Sequence, residues 1–481
     1  MITRRRFLED SLLATAAAAS LGARTVAADE TRPVAANEAI TAAIIGCGTR
    51  GRQQVEALSR LADCRVVCVC DPDTERVGKL AADARKRQGK NAAEVKAIAD
   101  MRRAFDDKSI DAVFVATCNH WHALAAIWAM QAGKHVYVEK PVSHNISEGR
   151  RIVEVARKTN RICQTGTQRR SSKAIAAAVE YMRAGKLGEV KLARSVIYGR
   201  RDSIGGPGTF APPPTVDYDL WCGPAPKSPI TRPSFHYDWH WFWETGNGEL
   251  GNNNIHMVDI CRWGLGVTGL GRSVLSYGGR LGYKDAAETP NTQVVIHDFG
   301  DKTIVQETRG LKSDAFGPKV DGGFIFYGTE GIIAETSLFD LDGKFVRKFE
   351  GGDGDHFANF LDAVRSGKRE DLHADILEGH QSTALCHAGN TSYRLGRAAN
   401  VDEIRTALAD VKAHDDVRET FDRTVKHLSA NGVDLEKTPL ALGAALRIDA
   451  DAETFVDNAA ANSLLTREYR KPFVVPAAGE S

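Results

Sequence analysis

Three groups of residues in this chain have types and spacings suited to chemistry. The first is Gly46-x-Gly48-x-x-Gly51, with Asp71 twenty residues further on. Glycines so spaced allow a tight turn, a close approach of backbone to a pyrophosphate, and close helix–strand packing. The carboxylate then accepts the hydroxyls of a ribose, which makes the pattern a dinucleotide site, with Thr49 and Arg50 inside the turn. The second group is Glu139-Lys140-Pro141. A lysine at a strand end, desolvated and near a positive nicotinamide, has a lowered pKa and can exchange a proton with a substrate hydroxyl.

The third group surrounds His256 in Gly248-Glu-Leu-Gly-Asn-Asn-Asn-Ile-His256-Met-Val-Asp259. Helical periodicity from Asn252 puts Asn252, His256 and Asp259 on one face, where Asp259 orients the imidazole. Gln168, Arg169 and Arg170 fall at a strand end facing the cleft and are candidates for substrate contact. Tyr198 and Tyr237 are weaker candidates for an acid/base tyrosine. His236, His240, His256 and Asp259 match no zinc signature, so no metal is expected. The aromatics among them (Tyr237, Trp239, Trp241, Phe242, Trp243) read as a sugar-stacking wall or as core.

The elements that must position these groups follow from the pattern. Residues 41–165 alternate strand and helix: Ala42 to Ile45, Arg65 to Cys70, Asp111 to Ala116, His135 to Val138 and Ile162 to Thr165 are apolar runs. Alternation of this kind predicts an α/β, doubly wound parallel sheet, with ligands outside the carboxyl ends of its strands. Asp71, the segment Thr117-Cys-Asn119-His120-Trp-His122 and Glu139 to Pro141 all fall at those ends, so Thr117, Asn119, His120, His122 and Glu139 join the cofactor contacts. Residues 166–400 show strands without intervening helices (191–198, 292–299, 303–306, 324–327), which predicts an α+β domain with a mostly antiparallel open sheet. Gly199 to Pro233 is a long Gly- and Pro-rich loop of functional or interface character. Residues 401–481 read as helix-like and extended, packing back over the body.

Composition excludes several classes. Lys and Arg total 63 against 62 acids, a net charge of +1, so neither nucleic acid nor an anionic membrane surface is expected as partner. The nine cysteines are odd in number, contain no CxxC pair, and read mostly as buried apolar residues. Thr3-Arg4-Arg5-Arg6-Phe7-Leu8 precedes an apolar run too short to span a bilayer and a small-residue site at Val26-Ala27-Ala28. Residues 1–28 resemble a twin-arginine export signal, with Glu9 where a lysine is usual, and 29–40 read as a linker. A periplasmic or other extracytoplasmic location is expected.

The glycine turn, Thr117-x-x-His120-Trp121-His122 and Ala132-Gly-Lys-His-Val-Tyr-Val-Glu-Lys-Pro141, at these spacings, resemble the Gfo/Idh/MocA oxidoreductase family. The resemblance continues through Asp219 to Pro226, Trp239 to Gly264, His356 to Val364 and Leu385 to Asn390. It implies a dinucleotide-binding domain followed by a domain whose open sheet carries substrate on one side and subunits on the other, hence a homodimer or homotetramer. It implies a proton-transfer role for Lys140 and a cis Lys140–Pro141 bond. Family dehydrogenases often carry Asp where this chain has Asn252. The expected activity is an NAD(P)-dependent oxidoreductase acting on a sugar, polyol or sugar derivative. Asp71 favours NAD, and Arg76 nearby leaves NADP open. The alternatives are an NAD-dependent glycosidase that recycles its cofactor within each turnover, and a non-catalytic sugar-binding scaffold that retains NAD.

Overall fold

Ala112-Val-Phe-Val115 is buried along its whole length, and Ala42 to Ile45 beside it are equally hidden, as strands covered on both faces must be. The computed structural model describes residues 39–89, 94–317 and 319–480. The expected export signal and nearly all of the expected linker lie outside the described residues. Six strands form the first sheet: β1 (Ile40–Ile45), β2 (Cys64–Cys70), β3 (Lys96–Ile98), β4 (Ala112–Val115), β5 (His135–Val138) and β6 (Cys163–Thr165). All are parallel, in the order β3-β2-β1-β4-β5-β6. The order reverses between β1 and β4, and the crevice at such a switch point is where ligands bind.

Alternate residues of β1 separate two cores. Ala43 and Ile45 pack with the helices Asn119–Gln131 and Ile146–Thr159, whereas Ala42 and Ile44 pack with Thr49–Leu58 and Thr74–Gln88. Phe357, Phe360 and Leu361, from the much later helix His356–Ser366, complete the second core. Local signals set the helix starts: Asp73 accepts the Glu75 N–H, and Asn145 accepts the Glu148 N–H.

The second sheet has twelve strands among the described residues. Its path runs β14 (Phe345–Lys348), β13 (Ser337–Phe339), β12 (Gly331–Ala334), β11 (Gly322–Gly328), β7 (Val190–Ile197), β10 (Thr303–Arg309), β9 (Thr292–Asp298), β8 (Ser273–Gly279), β16 (Leu440–Leu442), β15 (Arg397–Ala399). Only β7 and β10 pair in parallel. Val295, Ile304, Phe324 and Phe326 face inward onto the helices Ile255–Leu265 and Ile376–Arg394. Leu275, Tyr277, Val294 and Val305 face outward, under the helices Val401–Ala409 and Val417–Ala430. Residues beyond 401 therefore cover the sheet, and they also extend it through β16, β17 (Leu446–Asp449) and β18 (Thr454–Phe455).

All nine cysteines are free; eight are buried and Cys118 is half-buried. Burial also keeps several histidines neutral. His120 and His387 are pushed down to about 3, and His297 and His356 to about 4, by desolvation. In the unfolded chain each returns to about 6.5, so below that pH the unfolded state binds protons that the folded state refuses. The histidine part of the stability is expected to be complete above about pH 7 and to fall as pH drops through about 6.5 towards 4, offset in part by the Glu148 carboxyl, which burial pushes up to about 7. The slope is about 1.4 kcal/mol per pH unit for each such histidine. Melting temperatures measured across that range test this, and a flat profile refutes it.

Candidate active site

A cleft of 330 Å³ lies at the carboxyl ends of β1, β2, β4 and β5, within the ordinary size range of small-molecule sites. Its floor is the glycine turn. A Cβ on Gly51 would stand 1.9 Å from the Gly46 carbonyl oxygen, and one on Gly46 (φ +101°) would stand 2.4 Å from the Ala116 oxygen. These two glycines serve packing. Gly48 differs: its nearest neighbour would be the Arg76 guanidinium at 3.5 Å, so the space above it is open. The helix Thr49–Leu58 begins directly after it with no side-chain cap, leaving its first N–H groups for an anion. The turn thus fits a dinucleotide pyrophosphate. Asp71, at the end of β2, accepts the Cys47 N–H at 2.7 Å and the Asp73 N–H at 2.9 Å and lines the same cleft.

Thr49, Arg50, Thr117, Asn119, His122, Glu139 and Lys140 line the cleft as expected; His120 does not. The ring nitrogens of His120 lie 3.0 Å from the Trp221 oxygen and 3.3 Å from the Thr245 oxygen. Those of His122 face the oxygens of Pro141 and Thr117, at 2.6 and 3.0 Å. The Asn119 amide donates to Asn247 Oδ1 at 3.0 Å. The ring nitrogens of His120 and His122 are thus spent on the protein, whereas Asn119 commits only its amide N–H and keeps its oxygen at the cleft. Glu139 accepts from Arg50 Nε at 2.5 Å and from Gln54 Nε2 at 3.2 Å. Arg50 Nη2 and Glu139 Oε2 are buried with no partner, a donor and an acceptor left open beside the turn.

The Lys140–Pro141 bond is cis, and Lys140 Nζ donates to the Asn252 carbonyl oxygen at 2.7 Å. Burial lowers the pKa of this lysine. The helix expected from Asn252 is a π turn over Leu250–Asn254, and α geometry starts only at Ile255. π turns of this kind are frequent at functional sites. Here it is the backbone of Asn252, rather than its amide, that touches the lysine.

His256 follows that turn. Desolvation, then the charges of Lys140, Arg50 and Arg169, hold it well below the usual histidine range, and its Nδ1 is buried without a partner. Asp259 does not orient it. Its carboxylate accepts Arg170 Nε at 2.7 Å, Arg170 Nη2 at 2.9 Å and Ser382 Oγ at 2.7 Å, all buried. Three residues along a helix leave side chains about 60° apart, enough to turn Asp259 into the contact with the helix Ile376–Arg394.

Arg170 is accordingly a structural ion-pair partner, bound also to Glu378 at 3.1 Å, and faces away from the cleft. Arg169 pairs with Glu335, and the Gln168 amide donates to the Tyr137 hydroxyl at 3.3 Å; neither lines the cleft. Tyr198 is also displaced from the chemistry. It lies on the outer face of the second sheet, donating to Glu307 at 2.6 Å with Arg309 over its ring. Tyr237 and Trp239 do line the cleft. So do His236, 3.1 Å from Asp73, and His240, stacked on Trp239 at 3.6 Å, which the sequence marked only as poor metal ligands. Among the described residues no group of three or more His, Cys, Asp or Glu is arranged around a metal position.

Residues 40–167 match the family model described as an oxidoreductase family, NAD-binding Rossmann fold, and residues 208–427 match its C-terminal alpha/beta domain. The chain belongs to the Gfo/Idh/MocA family. Its first sheet is that family's NAD-binding Rossmann unit. A levoglucosan dehydrogenase of Pseudarthrobacter phenanthrenivorans is 28% identical over 201 residues, 41% of this chain and 43% of that protein. The scyllo-inositol 2-dehydrogenase (NAD(+)) of Bacillus subtilis is 29% identical over 31% of this chain and 42% of its own length. A glycosyl hydrolase family 109 protein of a Shewanella species is 33% identical over 33% and 38%. The chain thus spans less than half the length of each of these curated relatives. Among solved structures, the WlbA dehydrogenase of Bordetella pertussis, in complex with NADH and UDP-GlcNAcA, has a TM-score of 0.56 at 20% identity. It covers 74% of this chain and 97% of its own. GenD2, in complex with NAD, has a TM-score of 0.54 at 18% identity over 73% and 93%. These two share their fold with the chain.

Proposed function

We propose that this protein is an NAD-dependent oxidoreductase acting on the CH–OH group of a sugar, polyol or sugar derivative. The observation that carries the reading is Lys140: a half-buried lysine whose amine has a lowered pKa, fixed by the Asn252 carbonyl at the end of a dinucleotide cleft. NAD supplies the hydride acceptor. Lys140 hydrogen-bonds the reacting hydroxyl and takes its proton, and neutral His256, one turn after Asn252, helps to orient that hydroxyl as a hydrogen-bond partner. Tyr237, Trp239 and His240 give the sugar its apolar wall. The names of the levoglucosan and inositol dehydrogenases support this substrate class. Denaturing the purified protein and assaying the supernatant for NAD(H) and NADP(H), beside turnover on a polyol panel, tests the reading. Apo-protein with weak affinity for added NAD overturns it.

Asp71 sets the preference for NAD over NADP, because its carboxylate would meet a 2′-phosphate. Asp71→Ser is expected to weaken NAD binding by about tenfold or more, the worth of a charged hydrogen bond. With Arg76 already beside Gly48, NADP should gain relative to NAD; fluorescence titrations that leave both affinities unchanged place Asp71 off the ribose.

The match to glycosyl hydrolase family 109 favours a second reading, a redox-neutral glycosidase that recycles NAD within each turnover. Release of an aglycone with no accumulation of NADH distinguishes it. Export through a twin-arginine route is the reading that Arg4-Arg5-Arg6-Phe7-Leu8 supports. A reporter fused to residues 1–40 should then need the twin-arginine translocase. Self-association is supported by the edge strand β14, where Phe345 and Val346 are exposed. Light scattering counts the copies, and a monomer at all concentrations refutes it.

A further inference from the structure

On the other side of Tyr237 lies a second cavity of 530 Å³, walled by the start of the 199–233 loop and the aromatic tract. Tyr237 lines both spaces, so the two are neighbours across that side chain. Glu249, on the wall of the second cavity, is also close enough to Lys140 to support its positive charge.

The charges of this cavity are nearly all matched. Arg200 pairs with Asp202 at 3.0 Å, Arg201 with Glu249 at 3.0 Å, and Arg280 with Asp285 at 2.6 Å. No guanidinium is left over for a phosphate, which argues against a nucleotide-linked ligand. The exception is a carboxylate. Asp238 is only 8% exposed, lines the cavity, and among the described residues accepts no hydrogen bond; Arg232 and Arg280 act on its charge from beyond ion-pair distance. Its oxygens are open to the cavity, where a ligand hydroxyl can supply the donor that the protein does not. Beside it, Tyr237 is half exposed and offers a ring surface at the boundary of the two spaces. An unpaired carboxylate, neutralised guanidiniums and an aromatic surface suit an uncharged ligand rich in hydroxyl donors with apolar C–H faces.

We infer that this cavity is a subsite for a second sugar unit, with Asp238 accepting its hydroxyls, so that the ligand is a disaccharide or similar glycoside. The inference rests on the oxidoreductase reading for the unit at Lys140, but binding can be read without turnover. The test is calorimetry on NAD-loaded protein with cellobiose, maltose, lactose and chitobiose against glucose, galactose and N-acetylglucosamine. At least one disaccharide should bind about tenfold or more tightly than its constituent monosaccharides, the scale of a charged hydrogen bond. Asp238→Asn, which keeps the shape, should erase that advantage and leave monosaccharide affinity and melting temperature unchanged; Asp238→Ser repeats the measurement if the first variant folds poorly. The inference is overturned if no disaccharide exceeds its monosaccharides, or if Asp238→Asn weakens both alike. Asp238-dependent disaccharide binding without NADH formation upholds the subsite and sinks the oxidoreductase reading. Oxidation of monosaccharides with no disaccharide preference does the reverse.

Discussion

Lys140→Met is expected to lower turnover by roughly a hundred- to ten-thousand-fold while the dinucleotide remains bound, the usual effect of removing a positioned proton-transfer group. The separation follows from where the contacts lie. Gly46, Gly48 and Gly51 form the turn after β1, and Asp71 ends β2, whereas Lys140 follows β5 and reaches across to the π turn of the second domain. Met keeps the length and apolar stem of the side chain, and the loss in folding is the single hydrogen bond to the Asn252 carbonyl. Bound NAD, melting temperature and turnover, measured together, decide the matter. Activity within about tenfold of the parent would remove Lys140 from the chemistry. His256→Ala should follow the same pattern with its NAD retained; early melting with full activity would mark it as a packing residue.

Asp259→Ala is expected to act on the fold instead. It strips Arg170 of two short charged hydrogen bonds and Ser382 of its acceptor, all in the buried contact between two helices. Breaking one side of a buried ion pair costs about 3–5 kcal/mol, because the remaining charge has lost its counterpart. Glu378, at 3.1 Å from Arg170 and 3.2 Å from Arg262, already serves two guanidiniums and can replace little of this. Melting should fall by roughly three to five degrees, with NAD affinity and the pH profile of the folded enzyme unchanged. A variant that melts normally but loses turnover would return Asp259 to the catalytic group.

The contrast between these two residues shows what the sequence could reveal. Lys140 was legible because its signal is local: an apolar strand, then Glu-Lys-Pro at its end. The glycine turn and Asp71 were legible for the same reason. Asp259 was misread because its true partner, Arg170, is 89 residues away, and helical spacing to His256 was the nearer explanation. The partners of His120 are carbonyls of Trp221 and Thr245, which no side-chain pattern encodes. A π turn is likewise silent in a hydrophobic period, so the helix was started too early. In the first sheet, strands buried on both faces left continuous apolar runs that could be read directly. In the second, β9 and β11 hold short apolar cores, and β7 and β10 interleave β-branched residues with charged ones. β14 is exposed at all four positions, and β8 mixes serine and glycine into its strand, so neither announced itself.

The nine free thiols make the molecule a reporter of its own breathing. Burial raises the pKa of every one, which withholds the thiolate, the form that oxidants and alkylating reagents attack. Each of the eight buried sulfurs therefore reacts only when its surroundings open, and its labelling rate records how often they do, while half-buried Cys118 reports on the cleft itself. Cys47, Cys64, Cys68, Cys70, Cys118 and Cys163 sample the first sheet and the rim of its cleft, and Cys261 and Cys386 sample the helices behind His256. Mass-resolved alkylation, with and without dinucleotide, would thus time the loosening of the two halves separately, with no added probe and no engineered cysteine.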